Sequence, residues 1–220
     1  APTTSADPEE KTLKTTQADT TTTPAAETEP STALENVTVD TAYKPKDPTL
    51  PASSNWISVV NDWVGEAAKE LKIRLSNVNL KKTSSDDTAP MTVDGKGNTI
   101  IELDGNNMLD ARKSSGHTYA AGLEKKGTGT LTITDTGSIT AEDGTTQDNN
   151  LRGSLTAMGD EGAGIGSRGT SNANEHPQTE NITIEGNAYV KAYDQVLASG
   201  IGGGYNGNAK NITIKDNAYV

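Results

Sequence analysis

The ten residues Asn181-Ile182-Thr183-Ile184-Glu185-Gly186-Asn187-Ala188-Tyr189-Val190 return thirty positions later as Asn211-Ile212-Thr213-Ile214-Lys215-Asp216-Asn217-Ala218-Tyr219-Val220, with eight of ten residues identical. A fixed period of this size marks stacked units, each burying its apolar face against the next. Within the unit, apolar residues alternate with polar ones, the period of a strand. Ile182, Ile184, Ala188 and Val190 therefore point inward, and Ile212, Ile214, Ala218 and Val220 are expected beneath them, about 4.8 Å away on the neighbouring strand. Thr183 over Thr213, Tyr189 over Tyr219 and Glu185 over Lys215 follow on the outer face. Asn187 and Asn217 share a corner.

Working outward, the same alternation occurs at Ile73/Leu75, Ile101/Leu103 and Leu131/Ile133. The first inward residues of the five runs are spaced by 28, 30, 51 and 30 residues. The long interval holds one unit plus an insertion of roughly 20 residues beyond the period, expected to divide between Thr145–Glu161 and Ser167–Glu180. A second landmark runs out of phase with the first: Ala121-Gly122-Leu123, Ala163-Gly164-Ile165 and Ser199-Gly200-Ile201. Each late unit thus carries at least two short strands. Bends at Gly105-Asn106, Thr136-Gly137, Gly186-Asn187 and Asp216-Asn217 use residues that tolerate positive φ. Short strands joined by Gly/Asn corners at constant period predict an all-β parallel solenoid over residues 71–220. Val220 falls in mid-strand with no polar cap below it, so the chain is expected to continue in a longer protein.

The rest of the chain is different. Residues 1–51 hold seven of the nine prolines, fourteen threonines and no glycine, whereas all 22 glycines lie from Gly65 onward. A segment this poor in apolar residues cannot offset its ordering entropy and reads as a disordered Thr/Pro/Glu-rich stalk. Between stalk and solenoid, residues 52–70 read as a cap. Trp56, Val59, Val60, Trp63, Val64, Ala67, Ala68 and Leu71 have helical spacing and predict a short amphipathic capping helix. The strand formers Ile57, Val59 and Val60, together with Gly65, leave a strand as its rival.

A net charge of −11 argues against nucleic acid and against anionic membrane surfaces as partners. No apolar run is long enough to insert in a membrane. With no cysteine in 220 residues, disulfides and thiolate metal sites are excluded.

Three landmarks, Gly97-Asn98-Thr99-Ile100-Ile101-Glu102-Leu103-Asp104-Gly105-Asn106-Asn107, Thr130-Leu131-Thr132-Ile133 and Gly162-Ala163-Gly164-Ile165-Gly166, have counterparts in a known group. With Gly200-Ile201-Gly202-Gly203-Gly204, they make residues 71–220 resemble the right-handed parallel β-helix surface proteins of Gram-positive gut bacteria, the pectin-lyase-like or carbohydrate-binding-domain repeat proteins. The resemblance implies a large, secreted, wall-associated protein with adhesion or glycan binding as its role. The two polar insertions, and the lack of a visible wall anchor, depart from that pattern.

Catalytic signatures are absent: there is no serine elbow and no P-loop, and Gly162-Ala163-Gly164 precedes no phosphate-binding helix. His117 and His176 lie in polar loops and read as surface histidines. Asp104, Asp110, Asp135, Glu142, Asp143, Asp148, Asp160 and Glu161 form no recognisable glycosidase pair. A polysaccharide lyase or glycosidase is therefore the alternative to binding, and a structural spacer within a larger surface protein is a third reading. Thr132, Thr183 and Thr213 form one outward file, but Glu185 and Lys215 in the adjacent file break the regular array that ice binding needs. No cofactor is required. A weak calcium site at Glu142, Asp143 and Asp148 is the one metal possibility. Sugars stack on exposed rings flanked by polar groups, so Tyr189, Tyr193 and Tyr219, with Lys191 and Thr183, are the expected contacts for a glycan or host surface protein. The inserted loops at 145–161 and 167–180 are expected to add to them.

Overall fold

The computed structural model describes residues 11–13, 51–65, 70–82, 86–140, 146–148 and 153–220. Among them there is no helix. The strands are β1 (Lys11–Leu13), β2 (Ile57–Val60), β3 (Leu71–Ser76), β4 (Asn79–Lys81), β5 (Met91–Asp94), β6 (Thr99–Asp104), β7 (Asn106–Asp110), β8 (Leu123–Lys125), β9 (Leu131–Asp135), β10 (Ser138–Thr140), β11 (Thr146–Asp148), β12 (Ser154–Met158), β13 (Ile165–Gly166), β14 (Gln178–Gly186), β15 (Tyr189–Tyr193), β16 (Ile201–Gly202) and β17 (Asn208–Ile214).

Apart from the antiparallel β10–β11 pair, these strands form three parallel sheets, and from β2 onward the chain visits them in constant cyclic order. The first sheet runs β1-β2-β5-β8-β13-β16, the second β3-β6-β9-β14-β17 and the third β4-β7-β12-β15. One circuit through the three is a coil. This arrangement is compatible with a parallel β-helix. The apolar alternation creates it: Ile101, Leu103, Leu131, Ile133, Ile182 and Ile184 on the second sheet are fully buried against Met91, Leu123 and Ile165 of the first and Leu109, Leu155 and Val190 of the third. Along the second sheet, Ile73, Ile101, Ile133, Ile184 and Ile214 are successive register partners.

The repeat stacks as its sequence predicts. Ile182 pairs with Ile212, Thr183 with Thr213 and Ile184 with Ile214. The Glu185 and Lys215 side chains pair at 2.8 Å. Asn217 Nδ2 donates to Asn187 Oδ1 at 3.5 Å, and the Tyr189 and Tyr219 rings stack at 4.6 Å and 13°. The second landmark holds too, with Leu123, Ile165 and Ile201 in one file. Gly105, Gly137, Gly186 and Asp216 have the positive φ expected of corner residues.

Three expectations need correction. First, the helical cap is not formed: Ile57–Val60 is a strand pairing with Met91–Asp94, and Val59 is buried. The open edge of β5 satisfies backbone that a helix would have bonded internally, and β-branched residues suit that pleated surface. Residues 66–69 of the expected helix lie outside the described residues. Second, Leu131 pairs with Thr99, so Ile101 meets Ile133 at an offset of 32 rather than 30. The connection from β7 to β8 is longer than that from β4 to β5 and moves the register by one full pleat, which keeps inward residues inward. Third, the insertion is placed differently. Ser154–Met158, expected in a loop, is a strand of the third sheet with Leu155 and Ala157 fully buried. Part of the insertion precedes it and includes the antiparallel β10–β11 pair, and part lies between β13 and β14, within the expected Ser167–Glu180. Of the expected stalk, only Lys11–Leu13 and Pro51 are described, the former as a strand parallel to β2.

Candidate recognition surface

The outward residues of the third sheet form three columns. Ser154 pairs with Tyr189, whose next neighbour is Tyr219; Thr156 pairs with Lys191; and Asp110, Met158 and Tyr193 are successive partners. Tyr189, Lys191 and Tyr193 alternate along one strand, so all three emerge on the same face. Of the expected contact residues, Tyr189, Tyr193 and Lys191 thus share one face, with Tyr219 stacked on Tyr189. Thr183 is on the second sheet in a file with Thr132 and Thr213, and does not join them.

Tyr193 is tied into a network that the sequence did not reveal. Its hydroxyl donates to Met158 Sδ at 2.6 Å, and the Arg112 guanidinium lies 5.5 Å from its ring centroid. Arg112 is in turn held by Asp110, with Nε to Oδ1 at 2.9 Å and Nη2 to Oδ2 at 3.1 Å; Lys81 reaches the same carboxylate at 3.1 Å. Burial pushes the Asp110 carboxyl up, but hydrogen bonds from the Arg112 side chain and backbone and from Lys81 outweigh it, leaving Asp110 below its ordinary range. This clamp presents one face of the Tyr193 ring to a cation and leaves the residue 39% exposed. The one sequence signal for it was the two-residue step from Asp110 to Arg112 at a strand end, too common a pattern to single out.

At the same edge, His117 Nδ1 lies 2.9 Å from Oδ1 of the fully buried Asp160, whose Oδ2 accepts from the Thr118 N–H at 2.9 Å. The hydrogen bond to Asp160 raises the His117 pKa. His117 is exposed, as expected, but its ring is held rather than free. His176 Nδ1 lies 3.0 Å from the Asn206 carbonyl oxygen.

A separate cleft of about 360 Å3 opens where β8 meets the 167–177 connection, with Glu124, Lys126, Arg168, Glu175 and His176 among its lining residues. Of the calcium candidates, Glu142 and Asp143 lie outside the described residues, and Asp148 is described only as part of β11. Among the described residues, no three His, Cys, Asp or Glu side chains converge as a metal site. No protein-family model, curated protein or solved structure matches this chain.

Proposed function

We propose that this chain is a non-catalytic recognition module of a secreted bacterial cell-surface protein. In this reading it is an adhesin built as a right-handed parallel β-helix of the pectin-lyase-like kind, and it binds a glycan or a host surface protein. The observation that carries the proposal is the single face of the third sheet on which the Tyr189–Tyr219 stack, Lys191 and the Arg112-clamped Tyr193 emerge together. Rings with polar neighbours suit sugar stacking, and their regular spacing suits an extended polymer, on which weak contacts add through avidity.

A glycan and host-protein array followed by titration of the best hit tests this. The Tyr189→Ala/Tyr219→Ala double variant and Tyr193→Ala should each weaken binding by about tenfold, the scale of losing an aromatic anchor. Blank arrays would leave the spacer reading standing. Release of oligosaccharide products from a polysaccharide, abolished by one carboxylate substitution, would replace the adhesin with an enzyme.

A further inference from the structure

The cleft beside β8 is built from residues that the stacking of coils does not require. From Ile201 in the first sheet to Asn208 in the second, the last coil takes seven residues; from Ile165 to their register partner Gln178, the coil above takes thirteen. The additional residues form an ordered wall. Within it, Thr170 Oγ1 and Asn172 Nδ2 both reach the Glu175 carboxylate, at 3.3 and 3.2 Å, and Gln178 Nε2 donates to the His176 carbonyl at 2.7 Å. The opposite wall is β8. Glu124 faces outward there, yet its side chain is only 5% exposed and is paired with Lys126 at 3.2 Å. Its register partner Gly166, and Gly202 beyond, place no side chain over it. A Cβ at Gly166 would meet the Gly202 carbonyl oxygen at 1.9 Å, so the file is held open.

The charges select a ligand. Lys126 is neutralised by Glu124, and Lys125 buries its ammonium against the carbonyl oxygens of Lys126 and Gly127 at 2.6 and 3.0 Å. Glu175 is bonded into its own loop. Arg168, exposed at the mouth, makes no hydrogen bond or ion pair among the described residues, and its guanidinium is a planar fork matched to a carboxylate. Among the described lining groups, Arg168 is thus the cation with no hydrogen-bonded or ion-paired partner, although the Glu124 carboxylate acts on it through space. A singly charged ligand balances it, whereas a dianionic phosphate or a polyanion would be repelled by two carboxylates. A zwitterion is also disfavoured, because its ammonium would have to displace Lys126 from Glu124. The volume lies near the lower end of the roughly 300–1,000 Å3 of small-ligand sites, which suits a terminal sugar better than a length of polymer.

We propose that this cleft binds a monosaccharide unit carrying one carboxylate, with Arg168 taking the carboxylate bidentately, Glu124 accepting from ring hydroxyls and the 170–176 wall closing over the ring. The site is separate from the tyrosine face, so each stands or falls without the other. Calorimetric titration with sialyllactose, methyl glucuronide, lactose and galactose 6-sulfate tests it. At millimolar concentrations the two carboxylate sugars should bind and lactose should not, and comparison of the two shows which acidic sugar is preferred. Arg168→Gln should weaken carboxylate-sugar binding by about tenfold or more, the scale of losing a charge-assisted pair, while the melting temperature stays unchanged because the side chain is exposed. No heat with either carboxylate sugar, equal binding of lactose or of the sulfated sugar, or unchanged affinity in folded Arg168→Gln would overturn the proposal.

Discussion

Residues 181–190 and 211–220 lie one above the other as near copies, whereas residues 167–177 widen the same scaffold beyond the step that the next coil takes between the same two sheets. In the first region, each residue's environment is set by its equivalent thirty positions away, and the chemistry is that of stacking: Ile on Ile, Thr on Thr, ring on ring, Glu on Lys. In the second, side chains are freed from that constraint, and the cleft with its unpaired Arg168 lies there. Repetition secures the fold, and departure from repetition opens the proposed cleft.

The sharpest test of where one region ends and the other begins is Leu155. The spacing of the repeats put it inside an insertion; in the structure it is fully buried between Asn107 and Val190 as register partners. Leu155→Ala should therefore lower the unfolding free energy in urea by about 2–5 kcal/mol, as deletion of a packed core side chain does. A loss below roughly 0.5 kcal/mol, typical of surface sites, would return residues 154–158 to the loops and break the comparison.

Asn107 tests the corners in the same way. It is buried, accepts from the Val78 N–H at 2.9 Å and donates to the carbonyl oxygens of Leu75, Asp104 and Ser154 at 3.1–3.2 Å, linking three coils. Asn107→Ala removes these ties between coils, leaving the Asp104 carbonyl oxygen only the Asn77 N–H at 3.2 Å, and should cost about 1–3 kcal/mol. Asn217→Ala, which removes one 3.5 Å contact in the repeat, should cost less. Equal losses at the two sites would show that Asn107 is not the tie between coils that its hydrogen bonds imply.

What was legible follows the same division. Alternation and the thirty-residue offset exposed the core files at Ile182, Ile184, Ala188 and Val190, the Gly/Asn corners and the tyrosine pair, because in-register stacking repeats the sequence signal. The strand at Ile57–Val60 was hidden because four residues fit either period, and only the free edge of β5 decides between them. Ser154–Met158 was hidden because its partners are 48 residues back and 35 ahead, away from the dominant period. Arg112–Tyr193, His117–Asp160 and the Glu124 cleft join residues from different coils at positions with no repeated signature, and only the path of the backbone brings them together.

Acid should act oppositely on two carboxylates of the non-repeating kind. Asp110 has a folded pKa below its ordinary 3.8, so its contribution to stability is complete above that value and is lost as pH falls through the lower folded one. Glu124 has a folded pKa raised above 4.5 by burial, with Lys126 opposing, so its ionisation works against the fold, and protonation on falling through that raised value relieves the strain. Urea midpoints measured from about pH 6 down to pH 2 should fall less steeply at the acid end in Asp110→Asn. In Glu124→Gln, the parent's relief at the higher pH should be absent. Parallel profiles for the parent and both variants would show that neither carboxylate is coupled to folding as its neighbours require.

The smallest effect belongs to the most legible contact. Glu185 and Lys215 are opposed across the repeat at 2.8 Å, and the hydrogen bond that Lys215 donates to Glu185 raises the Lys215 pKa, so the pair contributes below the ordinary lysine value and stops contributing as pH rises through the folded one. Yet Lys215 is exposed, and an exposed pair is screened by salt and must hold two mobile side chains in one geometry. A double-mutant cycle with Glu185→Gln and Lys215→Gln should show coupling near the limit of measurement at low salt and none at high salt. Coupling that survives high salt would mean that the outer ladder contributes to stability as the buried files do, and the division between stacking that specifies register and burial that supplies free energy would have to be redrawn.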